Sequence, residues 1–229
     1  MAAIPGVRLA ALPLSFAAGL PGDWLTPAER DRAAEYDDGP SRRDFVAGRL
    51  GARFAAAAVL PHAAGRPERI GLTGHCPRCG ETTHGIPALS VDGEPGDRPI
   101  SYARAEGWLL VGFAAAGQRI GVGLCPPFGE ELDLFTATQQ AALRLLPRSR
   151  RRIEAGRRWA LLTARGKAVG IGTDVVEPER LATEVAQRRE RAGTLAAVGV
   201  TVLATGEDTP GEVASLGRLL AAVVVDEVR

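Results

Sequence analysis

The fold is constrained most by segments of helix type and strand type that alternate along the chain with no linker between them. Apolar residues recur at helical spacing from Phe45 to Ala58. Two short runs of strand type follow at 107–114 and 118–124, and Ala115-Ala116-Gly117 between them is typical of a hairpin turn. This interleaving predicts an α+β fold in which two lobes of similar size pack together.

Helix-start and turn signals divide the rest of the chain. Thr26-Pro27-Ala28-Glu29 is a capping box with proline at the first helical position, and Ser41 begins a similar pattern. The Asp37–Pro40 segment between them is a helix breaker, and the stretch from Gly65 to Gly85 is typical of a loop. The remaining predictions are helices at 134–146 and 148–172, a strand at 199–204, and at 213–225 either a strand or a helix leading into a strand.

The composition of the 229 residues limits the classes of function. A formal net charge of +1 gives no chain-wide attraction to nucleic acid or to an anionic membrane. No apolar run reaches the ~20 residues of a membrane helix. Three cysteines, an odd number, indicate a reducing compartment rather than a disulfide framework. The Met1–Phe16 segment lacks the features of a secretion signal, so we expect a cytoplasmic location. We also expect the protein to be a monomer.

The only lysine of the chain, Lys167, lies in the segment W-x-x-x-T-A-x-x-K-A-x-G-x-G that runs from Trp159 to Gly172. This segment resembles the W-x-x-K-E-A-x-x-K-A-x-G-x-G signature of Sfp-type 4′-phosphopantetheinyl transferases. Other segments match the pattern of the same family in the same order: Leu25–Arg30 (L-T-P-A-E-R) with Arg42–Arg49 (R-R-D-F-V-A-G-R), Cys76–Gly80 (C-P-R-C-G) with His84–Pro87 (H-G-I-P), Ile100–Ala105 (I-S-Y-A-R-A), Ile120–Cys125 (I-G-V-G-L-C), Phe135–Gln139 (F-T-A-T-Q) and Asp208–Ala214 (D-T-P-G-E-V-A).

The resemblance implies a two-lobe pseudo-dimeric α+β fold, with lobes at 1–116 and 117–229 and a ligand pocket at the interface between them. A transferase of this family is expected to bind coenzyme A and to hold Mg²⁺ on carboxylates and on the pyrophosphate. It is expected to move the phosphopantetheine arm to a serine of a carrier protein. The implied partner is therefore an acyl or peptidyl carrier protein, or the intermediate tethered to it.

Every position at which the resemblance places a metal-binding carboxylate holds a different residue in this chain. Gly123 and Cys125 replace the acidic residues of D-x-E, and Thr163 replaces the glutamate of the lysine-containing segment. Glycine has no side-chain ligand, a thiol is a soft ligand and threonine offers one neutral hydroxyl, whereas Mg²⁺ prefers carboxylate oxygens. Mg²⁺ binding, and with it the neutralisation of phosphate charge during transfer, is therefore predicted to be lost.

The residues that the resemblance implies for phosphate binding are kept in part. Those that remain, and that are candidates to bind a CoA-like or pantetheine-bearing ligand, are Arg42, Arg43, Arg49, His84 and Lys167. Ile86 replaces a basic residue of the family, whereas Arg104 occupies a histidine position and arginine is a good anion ligand. The candidate catalytic residues of a reassigned pocket are Lys167, Thr163, Cys125 and Arg104, and no metal site is predicted.

The cysteines each have two interpretations. Cys76 and Cys79 could bind zinc with help from His75 or His84, but a single Cys-x-x-Cys pair is more typical of a loop that simply contains cysteines. Cys125 is either a nucleophile in an arginine-rich pocket or a small apolar filler of an emptied site.

Two charged segments also have two interpretations each. The acidic residues Glu130, Glu131 and Asp133 either rebuild a metal site shifted along the chain or form a solvated loop. The six arginines between 148 and 158 form either a solvated helix face or a docking surface for an acidic carrier protein.

Three functions fit this combination. The first is a degenerate transferase-like protein, repurposed as a metal-independent enzyme such as a cyclase on carrier-protein- or CoA-linked intermediates of polyketide or nonribosomal peptide biosynthesis. Tyr102 and Glu106 are candidate acid or base groups of such an enzyme. The second is an active 4′-phosphopantetheinyl transferase with an unusual metal arrangement. The third is a non-catalytic module that binds a carrier protein.

Overall fold

The structure is a computed structural model that describes residues 6–63, 65–77, 79–82, 85–128, 132–168, 170, 200–202 and 220–227, with the backbone alone in the last two ranges. In chain order the helices and strands are β1 (Arg8–Pro13), α1 (Leu14–Ala18), α2 (Pro27–Ala34), α3 (Gly39–Val59), β2 (Ile70–His75), β3 (Ile86–Val91), β4 (Glu94–Pro95), β5 (Ile100–Ala105), β6 (Trp108–Phe113), β7 (Gln118–Cys125), α4 (Ala137–Arg144), α5 (Arg148–Ala168), β8 (Val200–Val202) and β9 (Leu220–Glu227).

The described strands form three small sheets. Sheet 1 has the order β5-β6-β1-β8, in which β8 pairs parallel with β1 and the other neighbours are antiparallel. Sheet 2 is the antiparallel set β2-β3-β4, and sheet 3 is the antiparallel pair β7-β9. The chain therefore belongs to the α+β class that the interleaved segments predict.

Sheet 1 separates two apolar clusters because successive side chains of a strand point to opposite faces. On β6, Leu109 and Val111 join the cluster that includes the alanines of α3. Leu110, between them, joins Val122 of β7 on the other face. Helix α3 lies close to the sheet at Gly51, where a Cβ would come 2.6 Å from Leu109 Cδ2.

Two tight turns set one antiparallel pairing in sheet 1 and one in sheet 2. Glu106 and Gly107 have φ angles of 48° and 76° and connect β5 to β6, and Asp92 and Gly93, at 52° and 84°, connect β3 to β4. Positive φ at both central residues is the requirement of a type I′ hairpin turn, whose twist matches that of the strands. Sheet 2 also corrects the loop predicted for 65–85, because that stretch contains β2.

The hairpin predicted between 107–114 and 118–124 is wrong, although both strands exist. Strand β6 pairs with β5 on one edge and with β1 on the other, so it has no free edge for β7. Strand β7 instead pairs with β9 and packs its side chains against the face of sheet 1.

The predicted start of α2 is confirmed and that of α3 needs a small correction. Thr26 Oγ1 accepts a hydrogen bond of 3.2 Å from the backbone N–H of Glu29, as a capping box requires. Helix α3 begins at Gly39 rather than at Ser41, because the Asp38 carboxylate accepts from the Ser41 backbone N–H and so caps the helix.

The later helices and strands are found where the structure describes them, but the helix predicted at 134–146 is shorter, at Ala137–Arg144, and the one predicted at 148–172 ends earlier. Helix α5 ends at Ala168, and Gly170 with a φ of +81° follows. The strand at 199–204 is found at Val200–Val202, and the stretch at 213–225 is a strand from Leu220 onward. Residues 171–199 and 203–219 lie outside the described ranges. None of the described helices carries an apolar stretch long enough to cross a membrane.

Candidate functional site

Helix α5 packs against strand β7 with the two backbones in contact. We call this contact the α5–β7 seam. Gly121 and Gly123 share one face of β7 because alternate residues of a strand point the same way. A Cβ built on Gly123 would overlap the carbonyl oxygen of Ala160. A Cβ built on Gly121 would overlap that of Ala164. The α5–β7 seam therefore has no room for any side chain at either glycine.

The seam contains the positions at which the resemblance places metal-binding carboxylates. A Cβ on Gly123 would lie 2.6 Å from Thr163 Oγ1, so these two positions are neighbours. The Thr163 hydroxyl donates a hydrogen bond of 3.0 Å to the carbonyl oxygen of Ala160, one turn earlier in α5. Cys125 lies two residues beyond Gly123 on the same face of β7. The structure thus brings Gly123 and Thr163 together, with Cys125 on the adjoining position.

The Cys125 thiol is buried in this seam. Burial raises the pKa of Cys125 to about 11. Because the thiolate and not the thiol is the nucleophile, the side chain is unreactive near neutral pH. The surroundings of Cys125 therefore favour its interpretation as an apolar filler over that of a nucleophile.

The residues of the seam do not fit Mg²⁺. Magnesium requires oxygen ligands in octahedral geometry, and the seam offers one hydroxyl that is already bonded to the helix backbone. Across the described ranges there is no group of three His, Cys, Asp or Glu residues that could hold a metal ion. Of the acidic run proposed as a replacement, Asp133 is exposed, whereas Glu130 and Glu131 lie outside the described residues.

Lys167 is held between sheets 1 and 3. Its Nζ donates to the carbonyl oxygen of Tyr102 on β5 at 2.8 Å and to that of Val122 on β7 at 3.0 Å. The Ser101 hydroxyl reinforces this junction by accepting from the Val122 backbone N–H at 3.1 Å. Burial, together with the nearby charge of Arg104, lowers the pKa of Lys167 to about 8. Lys167 is therefore a positive charge in a poorly solvated position.

Arg104 is the second positive charge at this junction. Its side chain is exposed and lies over Gly48 of α3, where a Cβ would come 3.0 Å from Arg104 Cδ. Within the part of the chain that the structure describes, Arg104 has no hydrogen-bond or ion-pair partner. The glycine thus leaves space for the side chain of an exposed arginine.

A buried ion-pair network between α2 and α3 was not predicted from the sequence. The Glu29 carboxylate, 4% exposed, accepts hydrogen bonds from Arg49 Nε at 2.6 Å and from Arg53 Nη1 and Nη2 at 3.0 and 2.6 Å. Burial alone would raise the pKa of Glu29, but hydrogen bonds from Arg53 and the charges of both arginines lower it. The available signal was the spacing of Arg49 and Arg53, which lie four residues apart on the buried face of α3.

Arg49 links this network to β5. Its Nη1 donates to the phenol oxygen of Tyr102 at 3.0 Å, and its Nη2 donates to the carbonyl oxygen of Leu72 at 3.0 Å. Each nitrogen of Arg49, predicted to bind phosphate, therefore already has a partner within the protein. We interpret Arg49 as a residue that orients Tyr102.

The other predicted phosphate-binding residues are dispersed. Arg42 donates to the carbonyl oxygens of Ala34 and Tyr36 at the end of α2, at 3.4 and 3.0 Å. Arg43 is exposed on α3, and His84 lies outside the described residues. Among the described residues, Lys167 and Arg104 lie close enough for the charge of Arg104 to act on Lys167.

The Cys-containing loop packs on the end of α5. A Cβ built on Gly170 would lie 2.7 Å from Ile86 Cδ1 and 3.3 Å from Pro77 Cγ, so the loop covers the helix end that carries Lys167. Cys76 is buried and Cys79 is exposed, which places the two thiols in different environments.

The arginine-rich start of α5 is partly engaged in the fold. Arg152 Nε donates to the Phe128 carbonyl oxygen at 2.9 Å, and Arg158 pairs with Glu154 at 3.0 Å. Arg150 and Arg157 are exposed. Some arginines of this segment therefore bond within the fold, whereas Arg150 and Arg157 are exposed to solvent.

The chain matches no protein-family model, and a comparison with curated proteins finds no relative. The resemblance therefore depends on the segments quoted above.

Proposed function

We propose that this chain is a degenerate 4′-phosphopantetheinyl transferase-like protein that has lost Mg²⁺-dependent transfer and acts as a metal-independent enzyme, for example a cyclase. Its substrates are carrier-protein- or CoA-linked intermediates of polyketide or nonribosomal peptide biosynthesis. In this proposal the chain has the pseudo-dimeric architecture of the resembled family, with lobes at 1–116 and 117–229 and the ligand between them.

One observation carries the proposal: a closed seam lies next to two positive charges, and no carboxylate of the described residues pairs with either of them. Gly123 and Thr163, at the metal positions of the resemblance, leave no space and no carboxylate for Mg²⁺. Lys167 and Arg104 nevertheless remain close enough for the charge of one to lower the pKa of the other. Two such cations favour an anionic ligand, such as the phosphate groups of CoA or of a phosphopantetheine arm.

The loss of transfer is tested by the intact mass of an apo carrier protein after incubation with this protein, CoA and Mg²⁺. A standard transferase is the positive control. We expect the control to add the phosphopantetheine arm and this chain to leave the carrier unmodified. Conversion at a rate comparable to the control would establish the active transferase instead.

The retained ligand is tested by calorimetric titration of the protein with CoA in the absence of metal. We expect binding that weakens at least about tenfold in Arg104→Ala, because a charge-assisted hydrogen bond to phosphate contributes about 1.5–3 kcal/mol. Arg119→Ala is the matched control, since Arg119 is also an exposed arginine on a strand. Equal loss in both variants would indicate non-specific charge attraction, and no binding by the wild-type protein would contradict the proposal.

The non-catalytic carrier-protein-binding module is the second candidate, and one surface favours it. Arg150 and Arg157 are exposed on α5, and Leu145 and Ile153 in the same region are 87% and 40% exposed. Exposed apolar residues flanked by arginines suit an acidic protein partner. For this function, Arg150→Glu with Arg157→Glu should abolish capture of an acyl carrier protein while Arg104→Ala leaves it intact, and the reverse pattern would favour the pocket.

A further inference from the structure

Tyr102 is held in one orientation by a buried charge. Arg49 Nη1 donates to its phenol oxygen at 3.0 Å, and Arg49 is itself fixed by the buried Glu29. A guanidinium can only donate, so the phenol oxygen is the acceptor of this bond. The O–H hydrogen of Tyr102 therefore points elsewhere, and no residue in the described ranges accepts it.

Tyr102 and Arg104 share one face of β5. Residues two apart on a strand point to the same side, about 6.6 Å apart along it. The main chain of β5 is fixed beneath them, because Lys167 Nζ donates to the Tyr102 carbonyl oxygen at 2.8 Å. The hydrogen-bond donor Tyr102 thus lies on the same face of β5 as the exposed cation Arg104.

We propose that Tyr102 donates a hydrogen bond to the carbonyl oxygen of an acyl thioester and stabilises the enolate that forms from it. This inference rests on the proposed function, in which the substrate is a carrier-protein- or CoA-linked thioester. It names the polarised group as a thioester carbonyl and the reaction class as proton removal from the carbon next to it.

The step is balanced without a metal or a redox partner. A base in solution removes the proton from the α-carbon, and the electron pair of the C–H bond moves to the carbonyl oxygen. Tyr102 donates a hydrogen bond to this oxygen as it becomes negative, and the positive charge of Arg49 lies behind the phenol. Donors aimed at a developing oxyanion are the strongest single contribution in many enzymes. The enolate then takes a proton back or attacks a carbonyl of the same substrate, as a cyclase requires.

The sequence contains its own control, because it has two tyrosines. Tyr36 is half-buried like Tyr102, but its ring lies beside Phe45 at a centroid distance of 5.3 Å and beneath Arg32. The described contacts of the Tyr36 side chain are with the Phe45 ring and with the Arg32 cation above its own ring, whereas Tyr102 receives a hydrogen bond at its oxygen.

The test is the exchange of the acetyl hydrogens of acetyl-CoA in deuterated buffer, followed by mass spectrometry. S-acetyl-N-acetylcysteamine, which lacks phosphate, is measured in parallel with the same full-length proteins. We expect the wild-type protein to accelerate exchange, Tyr102→Phe to lower the acceleration about 100-fold, and Tyr36→Phe to leave it unchanged. Tyr102→Phe should retain its affinity for CoA, since the phosphate contacts are made by other residues.

Each outcome separates this inference from the proposed ligand. Equal exchange in the wild type and Tyr102→Phe, or binding of acetyl-CoA without exchange, overturns the role of Tyr102. Exchange of the phosphate-free thioester that depends on Tyr102, without affinity for CoA, supports that role and contradicts the CoA-linked ligand. Should Tyr102→Phe not fold, a ¹³C-labelled thioester carbonyl bound to the wild-type protein provides the readout. Its resonance should move downfield on binding, and an unmoved resonance overturns the inference.

Discussion

A single methyl group at Gly123 should disrupt the packing of α5 on β7. A Cβ there would overlap the Ala160 carbonyl oxygen and lie 2.8 Å from its carbonyl carbon, whereas ordinary contacts begin at 3.4 Å. The helix backbone must therefore retreat by at least about 0.6 Å along the seam. Inserting one carbon into a well-packed interior costs about 1–3 kcal/mol, and a backbone obstacle cannot rotate away as a side chain does. We expect Gly123→Ala to lower the free energy of unfolding by about 3 kcal/mol.

The assay is urea-induced unfolding followed by circular dichroism, with the free energy extrapolated to water. Gly39→Ala is the matched control, because a Cβ at Gly39 would meet nothing within 4 Å. Gly39 is also the first residue of α3, so alanine there should be neutral or slightly stabilising. The difference between the two variants isolates the steric contribution of the seam from the general effect of replacing glycine.

A Gly123→Ala protein as stable as Gly39→Ala would refute the backbone contact between α5 and β7. It would also mean that the seam has space for a carboxylate side chain at position 123, and therefore for a metal ligand. The decisive extension is Gly123→Asp combined with Cys125→Glu and Thr163→Glu. We expect this variant to be destabilised and to bind no Mn²⁺, as measured by electron paramagnetic resonance.

Three further predictions concern titratable groups. The pKa of Lys167 is about 8 in the fold against 10.5 ordinarily, so the unfolded chain binds more protons between these values and stability rises with pH across this window. Lys167→Met should remove this rise, which is about 3 kcal/mol in the free energy of unfolding between pH 7.5 and 10.5, as measured by urea titration. A rise as large in Lys167→Met as in the wild type would show that the Lys167 amine is solvated. Glu29→Gln should destabilise the protein by about 3–5 kcal/mol, because two buried arginines lose their counter-ion. Since the pKa of Glu29 is lowered below 4.5, the wild type should lose stability as the pH falls through that lowered value, and Glu29→Gln should show a shallower acid transition. Iodoacetamide at pH 7.5 should label the exposed Cys79 well before Cys125, and faster labelling of Cys125 on peptide mass mapping would contradict its burial.

The parts of the fold that depend on residues close together in the sequence could be predicted from the sequence. A capping box satisfies its own hydrogen bonds within four residues, so Thr26 and Glu29 identify the start of α2 without knowledge of the rest of the chain. The pairing of strands is different, because β6 is joined to β1, about a hundred residues earlier. Apolar alternation indicates a strand but does not identify its partner, and the wrong hairpin between β6 and β7 follows from assuming the nearest one.

The site could be predicted only in part for a related reason. The motif order pointed to Gly123, Thr163 and Lys167, and the structure places these three residues around α5 and β7. It also assigned Arg49 to a ligand, although all three of its nitrogens bond within the protein. A motif records which residue types are present, whereas the availability of an arginine depends on whether a distant carboxylate, here Glu29, already occupies it.

The double use of Glu29 has a consequence for how this protein opens. The same carboxylate accepts from the Thr26 backbone N–H that begins α2 and from the two arginines of α3, which in turn donate to carbonyl oxygens of β2. Separating α2 from α3 breaks the helix cap and the ion pairs in one event. The backbone amides of α2, a helix of only eight residues, should therefore exchange with solvent at the same opening free energy as those of α3, as one cooperative unit.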